Sequence, residues 1–252
     1  MAQLVFSRKE MKYMIPPDRY EAFRAEVAEQ MIIDPYGEYR TCNLYYDTDL
    51  YDLIRMSIDK PFYKEKLRMR SYGVPGPDSK VFIEIKKKVN RMVYKRREHL
   101  PYRLACDFLD RGIYPEEHDS QIMREIRYFM EYHKPHGMLF LSYNRLPFAA
   151  KNHGDLRVTF DSDLRYRFEN VALHEGDYGE PLFPEGLHLM EVKVRTSVPL
   201  WLTALMDKYG IRRTSFSKYG RIYQKEFTNL HPGAQPPGLL IPDLSVFESD
   251  FE

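Results

Sequence analysis

The amino-acid sequence predicts an α+β fold with about eight mostly antiparallel strands and helices inserted between them. Short segments in which polar and apolar side chains alternate recur along the chain, which is the pattern of strands with one buried face. Helical patterns separate some of these segments. They do not follow the strict strand–helix–strand order of a parallel sheet, so an antiparallel arrangement is favoured.

The first half of the chain alternates strands and short helices. A strand is predicted over residues 5–15, and a helix begins at Pro16-Pro17-Asp18 because proline is favoured in a first helical turn. A strand over residues 39–46 leads into Asp47-Thr48-Asp49, which is expected to cap a helix that buries Leu50, Leu53 and Ile54. Three more strands are predicted over residues 63–72, 81–89 and 91–100.

The second half begins with two helices and returns to strands. The helices are expected over residues 104–113 and after the capping pair Asp119-Ser120. Strands follow at residues 138–143, 156–160, 166–171 and 187–195, then helices after Pro199 and near Ser217. The segment 229–252 is rich in proline and acidic near its end, so we predict a folded domain over residues 1–228 and a mobile tail over 229–252.

Composition narrows the class of protein. The 38 basic and 37 acidic residues leave a net charge of +1, which gives no global case for binding nucleic acid or anionic membranes. Cys42 and Cys106 form no CxxC pair, and no apolar run is long enough to cross a bilayer. We therefore expect a cytoplasmic protein. P-loop, GxGxxG, HExxH, GxSxG and kinase motifs do not occur.

Basic residues concentrate on one face of successive predicted strands. This face holds Lys12, Lys66, Arg68, Arg70, Lys86 and Lys95, and the second half of the chain offers Arg145, Arg157, Lys193 and Lys218. A solvated sheet face normally mixes both signs of charge, so dominance of one sign favours a polyanion site. Glu191 shares its face with Lys193. At this point Glu191 is equally a metal ligand or a partner in an ordinary salt bridge.

A series of short motifs in a fixed order resembles the VTC domain, the polyphosphate polymerase branch of the triphosphate tunnel metalloenzymes. The match extends over about residues 5–225. The motifs are Lys12-Tyr13, Leu67-Arg68-Met69-Arg70-Ser71-Tyr72-Gly73, Phe82-Ile83-Glu84-Ile85-Lys86, Tyr143-Asn144-Arg145, Arg157-Val158-Thr159-Phe160-Asp161, Met190-Glu191-Val192-Lys193 and Ser215-Phe216-Ser217-Lys218-Tyr219.

The resemblance implies a fold, an activity and a set of site residues. The fold is an eight-stranded antiparallel β-barrel that forms a tunnel, with helices packed around it. The activity is transfer of the ATP γ-phosphate to inorganic polyphosphate, assisted by Mn²⁺ or Mg²⁺. Residues implied to act in the transfer are Arg68, Arg70, Lys86, Arg145 and Arg157. Glu191 is the implied metal ligand, and Lys12, Lys95, Tyr143, Ser217 and Lys218 are implied to bind phosphate. Lys66 and Lys193 are also predicted to bind phosphate, because alternation along their strands places them on the same face as the other basic residues.

Two alternatives to a polymerase stay open. A hydrolase with the same site would cleave tripolyphosphate or nucleoside triphosphates, and a non-catalytic module would only bind polyphosphate. Hydrolytic relatives usually carry Glu-x-Glu-x-Lys on the first strand, whereas Arg8 replaces the first glutamate in Arg8-Lys9-Glu10-Met11-Lys12. Against the polymerase, Ser215 stands where its pattern usually has lysine. We expect no membrane insertion of this chain, so any coupling to transport would need a separate membrane protein.

Overall fold

Eleven strands occur in the part of the chain that the structure describes. The structure is a computed structural model, and it describes residues 9–59, 61–90, 92–151 and 154–233. Eight strands have seven or more residues: β1 (Lys9–Ile15), β3 (Tyr39–Asp47), β4 (Tyr63–Tyr72), β5 (Lys80–Val89), β6 (Met92–Pro101), β7 (His136–Ala150), β8 (Arg157–Arg167) and β10 (His188–Val194). Three are short: β2 (Met31–Ile33), β9 (Glu180–Pro181) and β11 (Arg213–Thr214).

The same residues contain seven α-helices. They are α1 (Pro17–Gln30), α2 (Asp52–Ile58), α3 (Tyr102–Arg111), α4 (Gln121–His133), α5 (Leu200–Lys208), α6 (Lys218–Lys225) and α7 (Phe227–Leu230). Helix α4 begins as the sequence predicts, because Ser120 accepts a hydrogen bond from the amide of Met123. Among the described residues, none of these helices combines the length and the apolar character needed to cross a membrane.

The chain divides into two compact units, and each has its own hydrophobic core. Unit 1 comprises the described residues of 9–39, 143–164 and 181–233, and unit 2 comprises those of 40–142 and 165–180. The core of unit 1 includes Phe23, Phe160 and Met190. In unit 2, helices α3 and α4 cover the apolar face of the sheet, and its core includes Leu67, Ile83 and Phe129. In both units the opposite face of the long strands is therefore left for polar side chains.

The predicted closure of the strands into a barrel is wrong for the described residues. The order of hydrogen-bonded strands is β11-β1-β10-β8-β7-β3-β4-β5-β6, with β2 beside β7 and β9 beside β8, and it has two ends. A closed barrel requires its end strands to pair. Strand β11 has only two residues, whereas β6 has ten, so β11 is too short to form a hydrogen-bonded ladder along β6. The α+β class and the antiparallel pairing are confirmed.

Element boundaries follow the sequence patterns closely in the first half and less closely afterwards. The predicted strands 63–72, 81–89 and 91–100 correspond to β4, β5 and β6. Strand β8 includes most of the predicted strand 156–160 and continues to Arg167, through residues 161–165 where no strand was predicted. The predicted strand 166–171 overlaps β8 only at residues 166 and 167, and β7 extends well beyond residues 138–143. Leu50, predicted to be buried, is 64% exposed because helix α2 starts two residues later. The domain boundary at residue 228 stays a prediction, and residues 234–252 of the tail lie outside the described residues.

Candidate functional site

The cationic face of unit 2 is formed by strands β4, β5 and β6. Residues directly opposite each other in antiparallel strands point to the same face of the sheet. Lys66 pairs with Lys86, and Lys86 pairs with Lys95, so three ammonium groups lie in one row across the strands. We call the set Lys66, Arg68, Arg70, Lys86, Lys95 and Arg97 the unit 2 basic face. Like charges placed opposite each other destabilise a sheet, so this row favours an anionic ligand.

One carboxylate, Glu84, lies within the unit 2 basic face. It occupies the row next to the lysines, between Arg68 and Arg97, and only 2% of its surface is exposed. Its closest cations are Arg68 Nε at 2.6 Å and Lys95 Nζ at 2.8 Å. Burial raises the pKa of Glu84, but the adjacent cations outweigh it and hold the pKa well below its usual range. Glu84 is therefore ionised, and Arg68, Arg70, Lys95 and Arg97 all lie within 4 Å of its carboxylate.

Two neutral side chains of β3 orient the arginines of this face. Asn43 accepts a hydrogen bond of 2.9 Å from Arg70 Nε, and its own amide donates to the carbonyl of Leu141 at 3.0 Å. The hydroxyl of Tyr45 accepts from Arg68 at 3.2 Å. Because both arginines are partly or fully buried and hydrogen-bonded, their guanidinium groups are held in defined positions before any ligand arrives.

Unit 1 contains a second group of charged side chains that differs in composition. We call Glu10, Lys12, Arg145, Asp161, Glu191, Lys193 and Lys218 the unit 1 charge cluster. Glu191 lies opposite Lys12 in the β1–β10 ladder and is almost fully buried. It is surrounded by Lys218 at 3.1 Å, Arg145 at 3.4 Å, Lys193 at 3.4 Å and Lys12 at 3.6 Å. The cluster carries four cations and three carboxylates, so its net charge is close to neutral.

Asp161 is the most tightly bound acid of the unit 1 charge cluster. Its two carboxylate oxygens accept hydrogen bonds of 2.7 Å each from Arg145 Nε and Nη2. The oxygen that faces Nη2 also accepts a bond of 2.6 Å from Lys218 Nζ. Asp161 has no exposed surface, and the ring of Tyr143 packs against Arg145 and Lys218 at 5.1 and 4.7 Å. The carboxylate of Asp161 and the ring of Tyr143 therefore both restrict the positions of Arg145 and Lys218.

The pKa shifts follow from this arrangement. Burial alone would raise the pKa of Asp161 and Glu191, but the neighbouring cations reverse the effect, and the pKa of both carboxyls is lowered. Burial would likewise lower the pKa of Lys218, yet Asp161 and Glu191 raise it above its ordinary value. All three groups are charged at neutral pH.

The other predicted site residues take several positions. Lys193 lies at the edge of the unit 1 charge cluster, 3.8 Å from Glu10. Arg157 points to the same face by register, but its guanidinium donates to the carbonyls of Gly154 and Leu156 at 3.2 Å. The hydroxyl of Ser217 accepts from the amide of Gly220 and caps helix α6. That cap places Lys218 at the first helical residue, where its side chain reaches Asp161.

The residues beside Glu191 fit a divalent metal ion that phosphate helps to bind. Among the described residues no three His, Cys, Asp or Glu side chains converge on one point. However, Lys12 and Lys193 each lie within 4 Å of both Glu10 and Glu191, so these two carboxylates face a common space. Mg²⁺ is usually held by one or two carboxylates and completed by substrate phosphate oxygens. Glu10 and Glu191 supply that donor set.

Sequence reasoning missed several polar contacts around these residues. Asn43 and Tyr45 lie in a strand recognised only by its alternation, and nothing in the sequence links them to Arg70 and Arg68. Thr159 lies opposite Glu191 in the β8–β10 ladder, and its buried hydroxyl has no hydrogen-bond partner among the described residues. The parity of the strands could have placed Thr159 on the charged face. Parity could not have predicted that its hydroxyl lacks a hydrogen-bond partner.

The fold and these two groups of residues define an α+β protein whose antiparallel sheet carries two groups of basic side chains. The model of the VTC domain family matches residues 7–227, and the chain belongs to the VTC domain family. No curated protein matches the sequence. The predicted family is thus confirmed.

Solved structures agree with this assignment at the level of the fold. A candidate adenylate cyclase from Bacillus halodurans is similar with a TM-score of 0.54 and 12% identity, over 84% of this chain and 96% of the other. A candidate adenylyl cyclase from Hippeastrum, in which triphosphatase activity is dominant, gives a TM-score of 0.52 and 15% identity over 88% and 98% of the two chains. The chain therefore shares the fold of these two proteins.

Proposed function

We propose that this protein is a polyphosphate polymerase that transfers the γ-phosphate of ATP to inorganic polyphosphate. The row Lys66–Lys86–Lys95 is the observation that supports it most directly. A row of ammonium groups at the spacing of neighbouring strands, about 5 Å, suits a chain of linked phosphates better than a single small anion. Membership of the VTC domain family favours polyphosphate as that chain.

Phosphate binding at the unit 2 basic face needs no metal. Six cations against one carboxylate leave a strong excess of positive charge, and Arg68 and Arg70 are already oriented by Tyr45 and Asn43. Lys86 and Lys95 are exposed, so incoming phosphate oxygens can reach their ammonium groups. This face would bind polyphosphate or the triphosphate of ATP by charge-assisted hydrogen bonds.

The unit 1 charge cluster has the composition expected where charge develops during transfer. Lys12, Arg145, Lys193 and Lys218 would donate to phosphate oxygens, with Tyr143 and Ser217 beside them, and Arg157 can rotate from its loop carbonyls toward the same face. Glu191, with Glu10, would hold Mn²⁺ or Mg²⁺. When bound, the ion supplies additional neutralisation of phosphate charge.

The reaction we propose involves no protein nucleophile. A terminal oxygen of polyphosphate attacks the γ-phosphorus of ATP, a new P–O bond forms, and the bond to the bridging oxygen between the β- and γ-phosphates breaks. ADP carries away the electron pair of that bond. The basic side chains stabilise the negative charge that spreads over the phosphate oxygens during this exchange.

Hydrolysis of tripolyphosphate or ATP is the second candidate function. Ser215 is exposed and adds no charge beside Lys12, whose ammonium donates to the carbonyl of Phe216 at 3.0 Å. A growing chain would lack one cation at this point, which favours water over phosphate as the attacking group.

Incubation of the purified protein with ATP and Mn²⁺ tests the two functions. The products are resolved by electrophoresis and by ³¹P NMR, in which internal phosphates of a chain are distinct from orthophosphate. Long chains with stoichiometric ADP are expected. Release of orthophosphate without chains would identify a hydrolase, and unchanged ATP at all metal concentrations would exclude both activities.

A further inference from the structure

Asp161 and Glu191 are both buried acids of the unit 1 charge cluster, but they hold their partners differently. The contacts of Asp161 to Arg145 and Lys218 are 2.6 to 2.7 Å long. Those of Glu191 to its cations are 3.1 to 3.6 Å long. Charge-assisted hydrogen bonds are strongest at about 2.7 to 2.9 Å, so Asp161 is the firm partner and Glu191 is the one able to exchange.

The geometry of the Asp161 pair determines what remains available for a ligand. Asp161 occupies two of the five donors of the Arg145 guanidinium and one of the three donors of the Lys218 ammonium. Glu191 accepts one further donor from each cation, at 3.4 Å from Arg145 and 3.1 Å from Lys218. The donors that Asp161 does not use keep their direction, because the Asp161 pair fixes the plane of the guanidinium. The ring of Tyr143 restricts both cations further.

We infer that Asp161 is a positioning residue for phosphoryl transfer, which holds Arg145 and Lys218 so that their free donors point at the phosphate. The inference rests on the proposed function of the unit 1 charge cluster. Asp161 itself contacts neither phosphate nor metal, since both of its oxygens are already engaged by cations. Its role is to orient the two groups that do make contact.

A positioning role predicts a separation between turnover and affinity. In Asp161→Asn the cluster loses a negative charge, so tripolyphosphate should bind at least as tightly as to the wild type in metal-free buffer. The kcat of the Mn²⁺-dependent reaction should nevertheless fall by roughly ten- to a hundred-fold, because small misplacements of transition-state donors are costly. The Mn²⁺ concentration for half-maximal rate should not change.

A double-variant cycle shows whether Asp161 acts through Lys218. Lys218→Met removes one oriented cation. The double variant, which combines Asp161→Asn with Lys218→Met, leaves the net charge of the cluster unchanged, and this favours folding. We expect the double variant to be slower than Lys218→Met alone only by the part of the effect that Asp161 exerts through Arg145, so its loss should be smaller than the product of the two single losses. Asp47→Asn is the matched control, because Asp47 is an equally buried carboxylate that instead accepts from the amides of Leu53 and Ile54.

Three results would overturn the inference: a kcat of Asp161→Asn within about two-fold of the wild type, losses that multiply in the double variant, or a raised Mn²⁺ requirement. The side-chain Nε–H signal of Arg145 in a ¹H–¹⁵N spectrum, assigned with Arg145→Lys, gives a readout that needs no activity. It should be protected from exchange in the wild type and lost in Asp161→Asn. If the wild type proves inactive, the proposed function fails, whereas this signal still tests Asp161.

Discussion

Lys218 Nζ lies 2.6 Å from Asp161 Oδ2, and both side chains are almost completely buried. The unit 1 charge cluster therefore contains three carboxylates, whereas Glu84 is the carboxylate that the described strands place on the unit 2 basic face. This difference in charge balance suggests that the two groups of residues respond differently to substitution, pH and metal. Substitutions in the unit 2 basic face should mainly weaken phosphate binding, whereas substitutions in the unit 1 charge cluster should mainly change turnover and metal dependence.

Replacement of Arg70 by alanine should abolish most of the activity. Arg70 is 7% exposed and is oriented by Asn43, so its loss removes a preorganised donor to phosphate. We expect the rate to fall on the order of a hundred-fold or more, as for other oriented transition-state donors. Steady-state kinetics with ATP and Mn²⁺ measure the effect.

Arg96→Ala is the control for Arg70→Ala. Arg96 lies on the opposite face of β6, where it pairs with Glu125 at 2.7 Å, and its removal changes the net charge equally. Its activity should stay within about two-fold of the wild type, since this partly buried ion pair lies on the face opposite the basic residues. Equal losses in both variants would show that net charge, and not the basic face, is responsible.

Tripolyphosphate affinity should fall as the pH rises through about 8. The side chain of Lys95 is 46% exposed, but its ammonium group is partly desolvated beside Glu84 and the arginines. This desolvation lowers the pKa of Lys95 to about 8, with Glu84 opposing and Arg68 and Arg70 adding to the shift. The ammonium is therefore charged below this pH and becomes neutral above it, so one cation is lost. We expect a decrease of roughly ten-fold between pH 7 and about pH 9.5, measured by calorimetry in metal-free buffer.

Lys95→Arg should flatten this pH profile, because a guanidinium remains protonated throughout the range. Titration of tripolyphosphate itself is common to both proteins and cancels in the comparison. A profile that is unchanged in Lys95→Arg would mean that another group controls the pH dependence.

Glu191→Gln should remove the metal requirement together with most of the turnover. The amide keeps the shape of the side chain but loses the charge that would hold Mn²⁺ among four cations. We expect the rate to fall on the order of a hundred-fold, while metal-free tripolyphosphate binding is retained or strengthened. Glu10→Gln, which alters a more exposed carboxylate, should show a smaller loss. A normal Mn²⁺ dependence in Glu191→Gln would contradict the assignment.

Thr159→Val should stabilise the protein in the absence of ligand. The buried hydroxyl of Thr159 has no hydrogen-bond partner among the described residues, and valine replaces it with a methyl group of similar size. The free energy of unfolding should rise by up to about 1 kcal/mol in urea titrations. Thr159→Ser keeps the hydroxyl and should not be stabilised. A clear loss of stability in Thr159→Val would reveal a bond to this hydroxyl.

Ser215→Lys should lengthen the polyphosphate product. Ser215 is exposed beside Phe216, whose carbonyl accepts from Lys12, so a lysine here adds a cation near Lys12 without burial. We expect longer chains on electrophoresis and a lower KM for polyphosphate. Ser215→Gln, which also introduces a long polar side chain but no charge, should behave as the wild type. If both variants give the same product length, charge at this position is not the determinant.

The sequence was most informative where one physical pattern dominated. In β4, β5 and β6 basic residues alternate with Leu67, Met69, Ile83 and other apolar residues, so strand limits and facing could be read directly. The parity of Lys66, Arg68 and Lys86 correctly assigned them to one face. The confirmed family followed from motif order and not from any single strand.

The remainder depended on contacts between residues distant in the chain. Asp161 and Lys218 are separated by 57 positions, and no periodicity links them. Alternation also does not fix where a strand ends, which is why β8 was predicted to stop at residue 160 and a separate strand was predicted at residues 166–171. Closure of the sheet came from the resemblance alone, and the two-residue strand β11 does not supply it.

The pairing of β1 has a consequence for biosynthesis. Its partners, β10 and β11, follow β3 to β8 in the chain, so β1 leaves the ribosome well before the strands that pair with it. Most of unit 2 can condense meanwhile, because residues 40–142 are contiguous. A nascent chain interrupted before residue 188 would expose an orphan strand, which makes the amino-terminal segment a natural target for chaperones during translation.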